Sequence, residues 1–360
     1  MQKNGVFGEE TKFIAFVTKG LEFITEREIK NKLPGAVIIS TIDKRIIFSL
    51  KDANIRDVLR LMTVDDVHLL LSQHADTDVI IDEHYITKNL PIAAIDGARS
   101  FIQKFRKVKN TFSITVSKYK NDIVNLTALR LKLSEIMRSA LSMEYTERDH
   151  ANFDIRVSIE TTSLVFSCRL GKLSSYARPY RKCKRKGSLK SPIAAALCML
   201  VNPRERGKLV DNFCGSGTIL CEGLLQGLEP YGGDIAEDSL LCARLNLGSI
   251  PNSSIKNVRL LDAESSKWPS KYFDYAISNY PWGKQVTLNS IIKLYSRSIA
   301  EYARILKKDG SIVLLGTKPE LLVKHVRANF PAHSIISFRI GFLGQTPWVI
   351  FATPRIKSPT

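Results

Sequence analysis

The chain has 360 residues, with 53 lysines and arginines against 35 aspartates and glutamates, a formal net charge of +18 and a pI near 9.6. Hydrophobic residues make up 44% and charged residues 24%, the balance of a soluble globular protein of about two or three domains. A membrane span is excluded on length, because the longest apolar run, Ile193 to Val201, is too short to cross a bilayer.

The opening MQKNGVFGEE has no basic stretch followed by an apolar one, so no signal peptide is read and a cytoplasmic location is expected. Cys168, Cys183, Cys198, Cys214, Cys221 and Cys242 form no C-x-x-C pair and have no histidine at zinc-ligand spacing. Free thiols and no metal are the expectation. The basic excess concentrates polyanions and favours a nucleic-acid partner over a merely basic surface.

In chain order, the first segment predicts a strand at Phe13–Val17 and a helix from Leu21 to Leu33 that stops before Pro34-Gly35. Strands at Ala36–Ile39 and Arg45–Leu50, a helix at Ile55–Met62 and a strand at Asp66–Leu71 complete a β-α-β-β-α-β order, the ferredoxin-like plan, over residues 1–84. The second segment, 85–176, shows a helix at Ile92–Phe105 and a strand alternating at Phe112, Ile114 and Val116. A long helix with Leu126, Leu129, Leu133, Met137 and Leu141 on one face follows, then strands at Asp154–Ile159 and Ser163–Cys168. Residues 177–187 carry many basic and no acidic side chains and read as an exposed linker.

The third segment, 188–360, alternates strands and helices, which implies a parallel sheet covered on both faces. Strands are predicted at Leu209–Phe213, Tyr231–Ile235, Val258–Asp262, Tyr275–Asn279 and Ser311–Gly316, with a final pair at Ile335–Phe342 and Trp348–Ala352. Its first strand ends in Asp211-Asn-Phe-Cys-Gly-Ser-Gly-Thr218. There Gly215 and Gly217 lack Cβ and let the backbone approach a ligand. Asp234 ends the next strand, 19 residues after Gly215, where a carboxylate suits ribose hydroxyls, and Asp262 ends the third, where one can accept from an adenine amino group. The fourth strand ends in Asn279-Tyr-Pro-Trp-Gly283.

Asn279-Tyr280-Pro281-Trp282 is similar to the Asp/Asn/Ser-Pro-Pro-aromatic turn of amino-group methyltransferases, with Tyr280 where proline is frequent. Residues 211–218 resemble their D-P-F-C-G-S-G-T cofactor loop. The order of domains resembles the THUMP-containing, TrmN-like tRNA guanine-N2 methyltransferases and their archaeal relatives. The resemblance implies a Rossmann-like, seven-stranded α/β methyltransferase domain preceded by a ferredoxin-like domain and a THUMP domain. It implies S-adenosyl-L-methionine held by Asp211, Phe213, Cys214, Gly215, Ser216, Gly217, Thr218, Asp234, Ile235, Asp262, Ala263 and Asn279, with catalysis at Asn279, Tyr280, Pro281 and Trp282. The reaction implied is N2-methylation of a guanosine in tRNA at acceptor-stem position 6. The Asn279 amide oxygen and the Tyr280 carbonyl would accept the amino N–H bonds while Trp282 stacks on the extruded base.

Phosphate contacts are expected from Arg178, Arg181, Lys184, Arg185, Lys186 and Lys190 and, in the second segment, from Arg106, Lys107 and neighbours as far as Lys120. A monomer with tRNA as its partner is expected. The alternatives are a ribosomal RNA guanine-N2 or DNA adenine-N6 methyltransferase, or a non-catalytic THUMP-type RNA-binding protein.

Overall fold

A computed structural model describes residues 10–75, 78–119, 123–148, 150–171, 177–201, 207–282, 288–342 and 344–355. The chain divides into two compact units, Met1–Val17 with Glu26–Ser175, and Thr18–Thr25 with Tyr176–Thr360.

The first part of the chain forms β1 (Glu10–Val17), α1 (Glu22–Lys32), β2 (Val37–Ile42), β3 (Arg45–Lys51), α2 (Ile55–Val58), β4 (Val64–Ala75), α3 (Glu83–Lys88), α4 (Ile92–Gln103), β5 (Thr111–Lys118), α5 (Leu126–Leu141), β6 (Glu144–Tyr145), β7 (Phe153–Ile159) and β8 (Ser163–Arg169). Its strands make one eight-stranded sheet in the order β2-β3-β1-β4-β8-β7-β5-β6, because β4 pairs antiparallel with β8. Alternation along β7 buries Phe153, Ile155, Val157 and Ile159, which join Phe13, Phe48, Leu133 and Met137 in a single apolar core. A polar cluster within this unit joins three charged side chains. Arg169 pairs with Asp66 at 2.7 Å and with Asp154 at 3.4 Å, all three largely buried.

The rest of the chain forms α6 (Ser191–Leu200), β9 (Lys208–Asp211), α7 (Thr218–Leu225), β10 (Glu229–Asp234), α8 (Glu237–Gly248), β11 (Val258–Leu260), β12 (Phe273–Asn279), α9 (Leu288–Ile305), β13 (Leu306–Gly316), α10 (Pro319–Asn329), β14 (His333–Arg339) and β15 (Trp348–Pro354). The second sheet runs β11-β10-β9-β12-β13-β15-β14, with neighbours parallel from β11 to β13 and β15 antiparallel to both of its own. The direction of winding reverses between β9 and β12. The carboxyl ends of these two strands are therefore the usual ligand position in sheets of this kind.

The local reasons are plain. Ile312 to Leu315 of β13 is a continuous apolar run buried on both faces, as a central parallel strand requires. Helix α6 is buried at every position from Ser191 to Cys198, so it has no polar face and no amphipathic period. Strand β11 stops at Leu260, short of the expected Asp262. The Asp262 side chain instead accepts from the Glu264 amide at 2.8 Å and turns the chain out of the sheet.

Candidate active site

The loop after β9 is built around two glycines with positive φ. Gly217 (φ 76°) faces Ala243 of α8, where an added Cβ would come within 3.0 Å of the alanine Cβ, so it is needed for packing. Gly215 (φ 51°) has nothing within 4 Å of its ideal Cβ and leaves open space over the loop. Both oxygens of Asp234 hold this shape. Oδ2 accepts from the Gly215 amide and Oδ1 from the Ala236 amide, each at 2.9 Å. Ile235 beside it is 76% exposed, an apolar platform at the strand end, and Asp262 is exposed at the end of the neighbouring segment.

Other residues expected at the ligand turn inward. Cys214 and Ala263 are buried, and burial pushes the Cys214 thiol up, so it packs as a small hydrophobe. Ser216 is buried beside Thr218, the first residue of α7, with their hydroxyls 3.4 Å apart. Asp211 is 1% exposed, and its Oδ1 accepts from the Phe213 amide at 3.0 Å and from Ser278 Oγ at 2.5 Å. Burial raises its carboxyl to about 7, although both hydrogen bonds favour the ionised form.

The turn after β12 lies on the strand next to this loop. Asn279 ends the strand, and its Oδ1 accepts from the Trp282 indole Nε1 at 3.0 Å. The amide is thereby held in one orientation, and its oxygen keeps a second lone pair. Trp282 is half-buried and edge-on to Phe342 with centroids 5.3 Å apart, while Pro281 is exposed. The Tyr280 side chain is wholly buried. Its ring lies 4.6 Å from that of Phe213, and its hydroxyl donates to Ser298 at 2.9 Å. Only the main chain of Tyr280 can therefore face a ligand. Gly283 lies outside the described residues.

Residues 177–190 depart from the expected exposed linker. Arg178 Nε donates to Glu222 Oε1 at 3.0 Å and Tyr180 Oη to the same oxygen at 2.6 Å, and Glu222 is wholly buried. Arg181 donates to the Leu189 carbonyl and to Ser191, each at 3.2 Å. Asn246 of α8 bonds both Cys183 main-chain groups and the Ser216 carbonyl, each at 2.9 Å, and Ser188 Oγ meets Ser216 Oγ at 2.8 Å. The segment is thus a strap fastened to the glycine loop. Lys184, Arg185 and Lys186 are exposed at its bend, and Lys190 is half-buried. In the first unit Lys107 is exposed, whereas Arg106 donates to the Leu170 and Asn152 carbonyls at 3.1 and 2.9 Å; Lys120 lies outside the described residues.

The expectation of six free thiols is also corrected. Cys183 and Cys242 form a disulfide, brought together because strap and α8 are already paired through Asn246. Replacing Cys242 by serine should lower stability of this unit by about 2–4 kcal/mol, since the bridge closes a separation of 59 residues. Urea unfolding with and without reductant checks it, and six titratable thiols in the unreduced, denatured protein would refute it.

The model of the family described as UPF0020, RMKL-like, methyltransferase domain, matches residues 178–345. A protein of Methanothermococcus thermolithotrophicus named as a tRNA (guanine(10)-N2)-dimethyltransferase is 30% identical over 132 residues, which cover 35% of this chain and 80% of that one. The chain belongs to the RMKL-like methyltransferase-domain family.

The family match opens at Arg178, so it takes in the strap as well as the loop and the turn. The U6 snRNA (guanine-N(2))-methyltransferase THUMPD2 of Bos taurus is 28% identical over 166 residues, 46% of this chain and 32% of that one. The chain thus spans about a third of that relative's length. The crystal structure of TrmN from Thermus thermophilus superposes with a TM-score of 0.75 at 20% identity, covering 96% of this chain and all of that one, which shows a shared fold. Sequence reading of this family member missed Glu222 and Asn246, which fasten the strap, and Ser278 and Tyr302 beneath the turn. The sole signal for Ser278 is its place next to Asn279.

Proposed function

We propose that the chain is an S-adenosylmethionine-dependent RNA methyltransferase that methylates the exocyclic N2 of a guanosine, in tRNA, at acceptor-stem position 6. The observation that carries this is the pairing of the open glycine loop with the Asn279 turn on adjacent strands. Ile235, Asp234 and Asp262 beside that loop fit a nucleoside: an apolar platform flanked by acceptors. Bound there, S-adenosylmethionine would supply an electrophilic methyl group. The chain's own part is to bind and orient. Asn279 Oδ1, held by the indole, offers its remaining lone pair to one amino N–H, and the Tyr280 carbonyl accepts the other. That grip draws the amino nitrogen toward tetrahedral geometry, and Trp282 lies next to the base.

The first unit is read as a ferredoxin-like module and a THUMP module that hold the RNA, and the protein as a cytoplasmic monomer. The relative named for U6 snRNA supports the same target atom on a second RNA class. Methyl transfer from labelled S-adenosylmethionine to tRNA and to U6 snRNA transcripts, followed by nucleoside analysis, tests the reading. N2-methylguanosine in either RNA upholds the chemistry, and N6-methyladenosine or no methylated base overturns it.

The exposed Lys184, Arg185 and Lys186 are expected to meet phosphates. Changing each to alanine should reduce the slope of log affinity against log salt for tRNA by about 1 per lost contact. Filter binding between low and moderate salt measures this, and an unchanged slope would remove the strap from the interface.

A further inference from the structure

A directed row of hydrogen bonds runs between the two loops. The Asn212 amide donates to Tyr302 Oη at 2.9 Å, Tyr302 Oη lies within bonding distance of Ser278 Oγ, and Ser278 donates to Asp211 Oδ1 at 2.5 Å. All four residues are at most 1% exposed. When Asp211 is ionised it can only accept, so the single proton of Ser278 goes to it and the single proton of Tyr302 goes to Ser278. The Tyr302 oxygen is then left to accept the Asn212 amide. The polarity of the row is fixed.

Both segments that the row joins are tied to the chemistry. Successive residues of β12 face opposite sides of the sheet, so Ser278 enters the row on one side while Asn279 stands on the other. Both ends of the row, Asn212 and Asp211, lead directly into the glycine loop, and Asn212 Oδ1 also accepts from Trp268 Nε1 at 3.0 Å. The loop motif that residues 211–218 resemble has proline at position 212, and proline has no N–H to give. Here asparagine supplies the donor.

We propose that Tyr302, acting through Ser278, is a positioning residue for methyl transfer: it clamps the cofactor loop to the catalytic turn and sets their separation. This deepens the function proposed above and rests on it. The clamp touches neither ligand nor reacting atoms. It acts by holding two main-chain segments at the spacing that an in-line transfer needs, where a displacement near 1 Å costs about 100-fold in rate. Its acceptor end titrates, because burial lifts the Asp211 carboxyl to about 7. The titratable groups around it are Asp234, which raises it further, and the neutral Tyr280, Tyr302, Cys198 and Cys214.

Tyr302→Phe, Ser278→Ala, the double variant and, as a packing control on the same helix, Ile299→Val are compared with the full chain. Each clamp variant should lower kcat for transfer to tRNA transcripts by about 10- to 100-fold, with the S-adenosylmethionine Kd within about threefold. The double variant should be no worse than either single one, as for parts of one device. Ile299→Val should leave kcat unchanged. In the wild type the rate should fall as the pH drops through about 7; Ser278→Ala should move that limb to higher pH, because the lost hydrogen bond stabilised the carboxylate, and Tyr302→Phe should not.

Hydrogen exchange decides the clamp without any RNA. Peptides spanning 211–217 and 275–282 should gain exchange together in Tyr302→Phe. Unchanged kcat, additive losses, or faster exchange in one segment alone would overturn the proposal. A wild type that methylates no RNA sinks the functional reading, while the exchange data still rule on the clamp.

Discussion

Asn279→Ala is expected to lower kcat for methyl transfer to RNA by about 100- to 1,000-fold, the loss seen when one preorganised polar group is taken from a transition state. The change removes the acceptor for the amino proton. It also removes the partner of the Trp282 indole, so the ring proposed to stack on the base is released at the same time. Asn279→Asp is the informative companion. It keeps an oxygen for the indole and for the amino group, and should retain more activity than alanine, though its charge alters the site beside a sulfonium. The folded state should be little affected, because the Asn279 side chain is only partly buried. Single-turnover kinetics with labelled cofactor separate the chemical step from binding. If Asn279→Ala transferred methyl groups within about fivefold of wild type, catalysis would have to be assigned elsewhere.

The second large effect concerns stability. Glu222 sits wholly buried in α7 and accepts from Arg178, whose side chain is 12% exposed, and from Tyr180. Glu222→Ala strands a guanidinium in the interior and is expected to destabilise the second unit by about 3–5 kcal/mol, the usual result of removing one partner from a buried pair. Replacing both residues, as Arg178→Met with Glu222→Met, should cost markedly less than Glu222→Ala, because no charge is then left unpaired. Urea unfolding followed by a probe in the second unit measures both. A loss under about 1 kcal/mol for Glu222→Ala would mean that the strap is not held by this pair.

The sheet of the second unit was legible because its central strand β13 carries a continuous apolar run, Ile312 to Leu315, buried on both faces as a central parallel strand requires. The loop and turn were legible for a different reason. Gly215 and Gly217 adopt backbone conformations that other residues resist, and the Asn279 turn must present specific atoms, so both constrain the letters directly. Helix α6 escaped notice because it is apolar all round, and a helix without a polar face has no period to read. The strap escaped because its charges suggested solvent, whereas Arg178 and Arg181 turn inward to a carboxylate, a carbonyl and a hydroxyl. Ser278 and Tyr302 were invisible for a third reason. A hydrogen-bonded row between distant segments has no spacing rule in sequence, and only the folded chain brings residues 24 positions apart into contact.

The strap also decides where the main stretch of the second unit begins. By the count of strands and helices it would start at Ser191, with the first turn of α6. By charge it starts at Arg178, because the buried carboxylate on α7 is paired with a guanidinium upstream of that helix. A fragment cut between the two would inherit every letter of the loop and the turn and lose this pairing. The second unit is therefore longer at its front than its regular architecture suggests, and it also draws in Thr18–Thr25 from far upstream.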